Sequence, residues 1–385
     1  MTYSIAGYAG MIADHPRTEA YSHALRQAIK PGAAVLDLGT GTGYFALLAC
    51  QLGARRVYAI EPGDAIALAR RVAADNGYSD RIVFFQEMST AVELPERVDV
   101  IVSDLHGVLP WFDRHIPSIV DARERFLASH GVLIPRRDTV WAAVVETPDL
   151  YRRHTAPWEA INRDLAVDIG AMRELLANTW RRASIDRRQL ITGAIQWATL
   201  DYERIVAEEA RGVVETKISR AGIGHGLALW FDTELAQGIG FSNAPGEPET
   251  IYGCGFFPWT RPVSVEEGDD VTAEIKADRT GDDYVWRWNT KIRRSGEAER
   301  VVDSFHQSTF LGTPLSTETL KKREAGHVPH LTGDGEIDRF ILTLMDESRS
   351  VGEIAERLAE RFSERFSNRV EALNRVADLS RHYSR

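Results

Sequence analysis

The stretch Asp37-Leu38-Gly39-Thr40-Gly41-Thr42-Gly43 carries the densest chemical signal in the 385-residue chain. It follows an apolar run and opens a helical pattern, so it lies at a strand end beside a helix N-terminus. Glycines there let the backbone turn tightly and approach a ligand. The spacing is G-x-G-x-G, not the G-x-G-x-x-G of dinucleotide binders. An acidic residue before the first glycine, Asp37, meets a ligand amine or its water rather than a pyrophosphate. Glu61 ends the next strand-like run, where a carboxylate can accept both hydroxyls of a ribose. With Gly39, Thr40, Gly41 and Gly43 forming the turn, the set suits S-adenosylmethionine, its ribose at Glu61 and its amino-acid end near Asp37 and Gly39. Any nucleotide-binding α/β domain is the competing reading. Tyr44, Phe45 and Leu47 read as helix core.

These residues need a sheet to hold them. Ala34 to Leu38, Val57 to Ile60, Ile82 to Phe85 and Val98 to Val102 are short apolar runs. Helical patterns separate the first three, through Leu52 and from Ala65 to Asn76. That alternation predicts a doubly wound, Rossmann-like parallel sheet over residues 1–137. Past Asp149 the texture changes. Trp158, Ile161, Leu165, Ile169, Met172, Leu175 and Leu176 predict helix over 151–180. From Ile191 to Leu311 alternating stretches such as Ile205 to Ile218, Ala228 to Phe231, Val271 to Ala277 and Tyr284 to Ile292 predict an antiparallel β domain, a barrel spanning 138–318. Trp286 and Trp288 fall on its inner face. Helical patterns at Gly335 to Met345, Val351 to Phe362 and Arg369 to Tyr383 make a third module over 326–385, after a charged linker at Lys321 to Gly326.

Composition limits the function classes. Apolar residues make up 44% and charged residues 26%, an ordinary globular balance. The net charge of −10 argues against a dominant nucleic-acid footprint. No apolar run approaches the roughly 18 residues of a membrane span. Met1 to Met11 lacks a basic n-region, so it does not read as a secretory signal. Two cysteines, Cys50 and Cys254, are too few for a disulfide framework. The expectation is a cytoplasmic protein from a reducing compartment. His15, His23, His106, His115 and His225 show no metal-ligand spacing, so no metal is expected.

Over residues 8–312 the chain resembles the protein arginine methyltransferases. Met11-Ile12-Ala13-Asp14-His15-Pro16-Arg17-Thr18 is similar to that family's M-[LI]-x-D-x-x-R-T signature, and the resemblance assigns the cofactor carboxylate to Arg17. Gly53 to Glu61 follows the family pattern closely. Glu87-Met88-Ser89-Thr90 matches the adenine-contacting stretch, which implies Met88 and Ser89 in cofactor binding, with Thr90 where the family often has glutamate. The family's substrate loop, S-E-x-x-G with a second glutamate nine residues on, corresponds to Ser103-Asp104-Leu105-His106-Gly107 and Asp113. Both glutamates are aspartates at unchanged spacing. Two carboxylates at a strand's carboxyl end can pair with a guanidinium or hold another cationic amine. The Thr-His-Trp loop corresponds to Thr250-Ile251-Tyr252, with Ile251 in place of histidine. Residues 158–200 match the helical arm that makes a head-to-tail dimer in that family, which implies a homodimer.

Around this core, His106 is a candidate proton acceptor or a structural hydrogen-bonding group. Trp111 and Phe112 are candidate walls of the acceptor pocket or buried packing, and Tyr252 joins them by the loop match. The C-terminal helices resemble a winged-helix module, in particular the leader-peptide-binding domains of peptide-modification enzymes through the helix start Ser350-Val351-Gly352-Glu353-Ile354-Ala355. A peptide- or partner-binding role, a structural cap and nucleic-acid binding all stay open. Arg357, Arg361, Arg365 and Arg369 alternate with glutamates, which favours a solvated face. The leading functional expectation is N-methylation of a guanidine or amine, in arginine, a peptide or a small metabolite. The alternatives are O- or C-methylation of a small metabolite, and a cofactor-binding protein whose catalytic site has decayed.

Overall fold

The computed structural model describes residues 4–159, 167–296 and 300–384. The chain divides into two compact units, Met1–Pro314 and Leu315–Arg385. No helix among the described residues is long and apolar enough to cross a membrane.

The first unit opens with two helices, α1 (Ile5–Ala13) and α2 (His15–Ala28). Asp14 separates them and caps α2, and Pro16 occupies its first turn, where the missing N–H costs nothing. Then come β1 (Ala34–Leu38), α3 (Tyr44–Gln51), β2 (Arg56–Ile60), α4 (Ala65–Asp75), β3 (Ile82–Phe85), β4 (Val98–Ser103), α5 (His115–Phe126) and β5 (Leu127–Ile134). All five strands run parallel in the order β3-β2-β1-β4-β5. Every residue of β1 is buried, as expected for a central strand covered on both faces. The order reverses between β1 and β4, whose last residues, Leu38 and Ser103, are register partners. A sheet of this kind opens its ligand crevice at that switch point, beyond the carboxyl ends of the two strands.

The antiparallel part follows: β6 (Arg137–Val145), α6 (Pro148–Thr155), α7 (Ala171–Ala177), β7 (Arg181–Ala183), β8 (Ile195–Asp201), β9 (Ala210–Lys217), β10 (Gly222–Ala236), β11 (Ile239–Ser242), β12 (Cys254–Val265), β13 (Asp270–Thr280), β14 (Asp283–Arg293) and β15 (Val301–Phe305). One sheet runs β7-β12-β10-β6-β8, with β11 on β10, and the other runs β15-β14-β13-β9. Between them lies an aromatic core. Tyr284, Trp286 and Trp288 alternate inward along β14, and Trp286 packs on Trp197, Trp180 and Phe257. The buried face of α2 belongs to one apolar cluster with Phe45 of α3 and with Leu235 and Ala236 of β10. That helix therefore ties the parallel sheet to the antiparallel domain.

Two expectations need correction. Among the described residues, the helix predicted over 151–180 is seen as α6 and α7, with Ile161 and Leu165 outside the described residues. The arm expected over 158–200 ends sooner, because β7 pairs with β12 and β8 with β6 inside the sheet.

The second unit contains α8 (Thr317–Lys321), α9 (Gly333–Leu344), α10 (Val351–Arg361) and α11 (Arg369–Tyr383). Ile337, Ile341, Ile354, Leu358 and Val376 make its own small core. Ser350 and Glu353 form a reciprocal capping box that starts α10. Its described residues include no strand, so the wing of the expected winged helix is not formed.

Candidate active site

Three elements deliver the site to the switch point: the glycine turn after β1, the loop after β4, and α2 across the opening. Gly39 and Gly41 take left-handed backbones (φ 78° and 52°). A β-carbon on Gly39 would stand 2.4 Å from the Leu105 side chain, so the turn and the β4 loop are in direct contact. Asp37 is buried and accepts a hydrogen bond from Thr40 Oγ1 at 2.6 Å. Burial raises its pKa to about 7, against the pull of that bond and with Glu61 and Asp104 adding negative charge nearby. Glu61 accepts from the backbone N–H of Gly41 at 3.1 Å and of Gly63 at 2.8 Å, so its carboxylate leans over the turn. Gly43 begins α3, also with a left-handed backbone. Met88 is half-buried and precedes a single 3-10 turn. Ser89 is buried, and its carbonyl accepts from Arg125 Nη2 at 2.6 Å.

Arg17 and Asp104, matched by the resemblance to opposite ends of a reaction, hold each other. The Nε and Nη2 of Arg17 both donate to Asp104 Oδ2, and Nη1 donates to the Met11 carbonyl at 2.9 Å. Both side chains are less than a tenth exposed. The Arg17 guanidinium lies 5.5 Å from the rings of Tyr21 and Phe45. On its other oxygen Asp104 accepts from the Tyr252 hydroxyl at 2.6 Å and stands 3.4 Å from His106 Nδ1. Burial alone would raise the Asp104 pKa. Arg17, His106 and Tyr252 outweigh it and hold the carboxyl well below the usual carboxylate range.

Behind this pair lies a second layer. His106 Nε2 is 2.7 Å from Asp138 Oδ2, the Tyr202 hydroxyl donates to the same oxygen at 2.5 Å, and His115 Nε2 meets that hydroxyl at 2.9 Å. Burial favours a neutral His106 ring, but Asp138 and Asp104 overcome it and raise the pKa to about 9. Burial, helped by the His106 charge, lowers His115 to about 3. One ligand atom each from His106, His115 and Asp138 lies within 4.8 Å of the others, close enough to surround an ion. Their contacts, however, are at hydrogen-bond lengths to one another or to Tyr202, so the cluster is a hydrogen-bonded chain.

The other predicted residues scatter. Asp113 is partly exposed on the loop between β4 and α5, with a left-handed backbone (φ 47°) that aspartate tolerates better than most residues. Trp111 does not wall the site. It is buried in the barrel's aromatic core, 4.8 Å from Trp197 between ring centres, because the loop folds its apolar side chains inward. Sequence reasoning missed Asp138, Tyr202, His115 and Tyr21. The one signal available was register: Asp138 shares the inward face of β6 with Val140, Ala142 and Val144, where a carboxylate needs a reason. Asp14 was quoted only as part of a motif. It also accepts the Ile251 backbone N–H at 2.8 Å, tying the helix start to the loop that carries Tyr252.

Two family profiles match the chain in succession. Residues 6–163 match the ribosomal protein L11 methyltransferase (PrmA) family, and residues 136–292 match the arginine methyltransferase oligomerization subdomain. Among curated relatives, probable protein arginine N-methyltransferase 6 of Arabidopsis thaliana is 31% identical over 64% of this chain. The chain spans 58% of that relative's length. Protein arginine N-methyltransferase 6 of Xenopus laevis is 27% identical over 69% of this chain and 81% of its own. An arginine N(omega)-methyltransferase of Streptomyces achromogenes subsp. streptozoticus is 26% identical, over 69% and 74%. In structure the chain is similar to protein arginine methyltransferase 10 of Arabidopsis thaliana, with a TM-score of 0.69, 24% identity, and 80% of this chain and 98% of that one covered. It is also similar to the Trypanosoma brucei PRMT1 enzyme-prozyme heterotetramer solved with AdoHcy, with a TM-score of 0.70, 19% identity, and 78% and 96% covered. These two likenesses show the fold. The two profiles, in this order over 6–292, make the chain similar to the arginine methyltransferase-like class I methyltransferases.

Proposed function

We propose that this protein methylates a guanidino nitrogen, of arginine itself or of arginine in a peptide. One observation carries the reading. The buried Asp104 carboxylate at the switch point already grips a guanidinium, that of Arg17, through two N–H donors. A pocket with that affinity suits a second guanidinium of the same charge and shape. The names of relatives support it from two sides, some protein arginine methyltransferases and one an arginine N(omega)-methyltransferase.

The cofactor side fits S-adenosylmethionine by its donor set. Glu61 leans over the glycine turn to take ribose hydroxyls, Asp37 lies buried for the amino group, and Met88 and Ser89 lie on the adenine side. S-adenosylmethionine, when bound, supplies an electrophilic methyl group. The residues of this chain do the positioning. Arg17 turns to the cofactor carboxylate and frees Asp104 Oδ2 for the acceptor. Asp104, shorter than glutamate by one bond of roughly 1.5 Å, draws the acceptor deeper and holds its charge on the nitrogens that do not react. Tyr252 keeps Asp104 turned toward the opening. Positioning of this kind contributes most of the rate. His106, with each ring nitrogen facing a carboxylate oxygen, is placed to donate rather than to act as a base toward an oxygen or carbon acceptor.

In the same reading the chain is a homodimer whose contact includes Met172, exposed on α7, and the half-buried Leu175 and Leu176 beside it. The C-terminal module, with Val370 and Leu373 exposed on α11, takes a peptide or protein partner. Sedimentation of the whole protein at tens of micromolar tests the dimer. A wild-type monomer there rejects it.

The deciding experiment supplies methyl-labelled cofactor with free arginine, arginine-containing peptides and amine pools. The expected product carries the label on a guanidino nitrogen. Label found only on oxygen or carbon, or no transfer to any acceptor, overturns the proposal.

A further inference from the structure

The chain His115–Tyr202–Asp138–His106 lies behind Asp104, with all four residues buried. Two buried ionisable groups are costly unless paired and hydrogen-bonded, and His106 and Asp138 pair with each other. Hydrogen-bond direction shows what they do. An ionised carboxylate only accepts, so a ring set between two of them must donate from both nitrogens. His106 is such a ring, with Nδ1 toward Asp104 and Nε2 toward Asp138. Tyr202 gives its proton to Asp138 and receives one from His115 Nε2, so the direction is consistent along the whole chain.

We propose that Asp138 is a positioning residue for methyl transfer: acting through the His106 imidazolium, it fixes the Asp104 carboxylate with one oxygen turned to the acceptor. The inference rests on the acceptor role of Asp104 given above. Arg17, Asp104, His106 and Asp138 alternate in charge and balance. His106 has no room to turn. Its side chain is fully buried, its ring stacks on Phe231 at 5.2 Å between ring centres, and Tyr252 meets it edge-on at 6.0 Å. The groups facing it are Asp104 from the β4 loop, Asp138 from β6, Tyr202 after β8, a neutral His115 from α5, and Tyr252. With Oδ1 engaged by Tyr252 and His106, only Oδ2 is left once Arg17 turns away. Asp104 then meets the acceptor through a single oxygen. Flanked by a cation, that carboxylate serves as an orienting anion rather than as a proton acceptor. Ile251 stands where the resemblance gives histidine; the histidine beside Asp104 is His106 of the β4 loop, backed by Asp138 of β6.

The test is Asp138→Asn in the full-length protein, which keeps shape and removes charge. Acceptor turnover should fall about 10–100-fold, the loss typical of a displaced catalytic group. S-adenosylhomocysteine affinity should stay within about threefold, well under the tenfold that 1.4 kcal/mol represents. A high-pH limb set by His106, whose pKa the two carboxylates raise to about 9, should move toward neutrality because the imidazolium has lost one of its two anions. Wild-type turnover with an unmoved limb overturns the proposal, and so does a loss that tracks the unfolded fraction alone. If Asp138→Asn does not fold, imidazole nitrogen spectra of the wild type decide. His106 doubly protonated at pH 8 supports the pair, and a neutral ring at pH 7 overturns it. These spectra report on the pair even if no acceptor is methylated, an outcome that would count against the proposed function instead.

Discussion

The two sides of the crevice that the proposed function gives to the cofactor and to the acceptor are built in opposite ways. On the cofactor side the contacts are short in sequence. Asp37 takes its hydrogen bond from Thr40, and Glu61 bonds to Gly63 and to Gly41, twenty residues away. On the acceptor side, among the Asp104 partners described above, only His106 is local. Arg17 is 87 residues distant and Tyr252 148, while Asp138 reaches His106 across 32 and Tyr202 across 64. The first arrangement is a turn with two carboxylates at strand ends, which any chain of this pattern forms once its sheet exists. The second requires α2, the β4 loop, β6 and the loop before β12 to arrive together. Cofactor binding should therefore survive damage that ends catalysis, and the reverse should fail.

The largest break is expected at Asp104. Asp104→Asn removes the charge and keeps the size, leaving Arg17 and His106 without their shared anion. Truncating one partner of a buried charge pair typically costs about 2–5 kcal/mol, so turnover should fall about thirtyfold or more while S-adenosylhomocysteine affinity holds. Steady-state kinetics with calorimetry would show it, and equal losses in both would mean the two sides are not separable.

Next comes Glu61→Ala, which should act on the other side. Charge-assisted bonds to ribose hydroxyls are worth about 1.5–3 kcal/mol each, so cofactor affinity should drop more than about tenfold. Thermal unfolding without cofactor should barely move. Unchanged affinity would remove Glu61 from the site.

A smaller effect sharpens the comparison through pH. Burial raises the Asp37 pKa to about 7, above its unfolded value. The folded state then binds this proton more tightly, so the protonated form stabilises the fold, and that contribution is lost as pH rises toward 7. Cofactor binding should run the other way, because the ligand's positive charges favour ionised Asp37. Affinity measured from pH 8 to pH 5.5 should weaken below about 7, and Asp37→Asn should flatten the profile. A wild-type profile that is already flat would show that Asp37 does not meet the cofactor's charge.

The smallest test falls on the C-terminal unit, where local signals were strongest. Ser350→Ala breaks the capping box that starts α10 and should cost about 1 kcal/mol in that unit's unfolding. Methyl transfer to free arginine should be unaffected, as read by the labelled-cofactor assay.

Much of this was legible beforehand. Apolar runs separated by helical periods announced the parallel sheet, and β14 showed its inward tryptophans by alternation. α11 was read to its last residue because Asn368, its cap, and Val376 and Leu379 inside mark a helix by local rules alone. β5 was missed. Ser129, His130 and Gly131 interrupt its apolar run, and it pairs as an edge strand with only β4 beside it. Trp111 was misplaced because an aromatic residue between two aspartates reads as a pocket wall, while the loop's fold buries it against Trp197.

The sequence by itself determined four strands of the parallel sheet and the glycine turn with Asp37 and Glu61, and the resemblance supplied the aspartates of the β4 loop. Period, turn chemistry and strand ends act over a few residues, and a linear reading captures them. Only the tertiary structure decided that Arg17 grips Asp104, that Tyr252 and His106 share its other oxygen, and that Asp138 stands behind them. Those contacts depend on which distant elements the core brings together. A buried charge declares its partner only when the fold has closed around both.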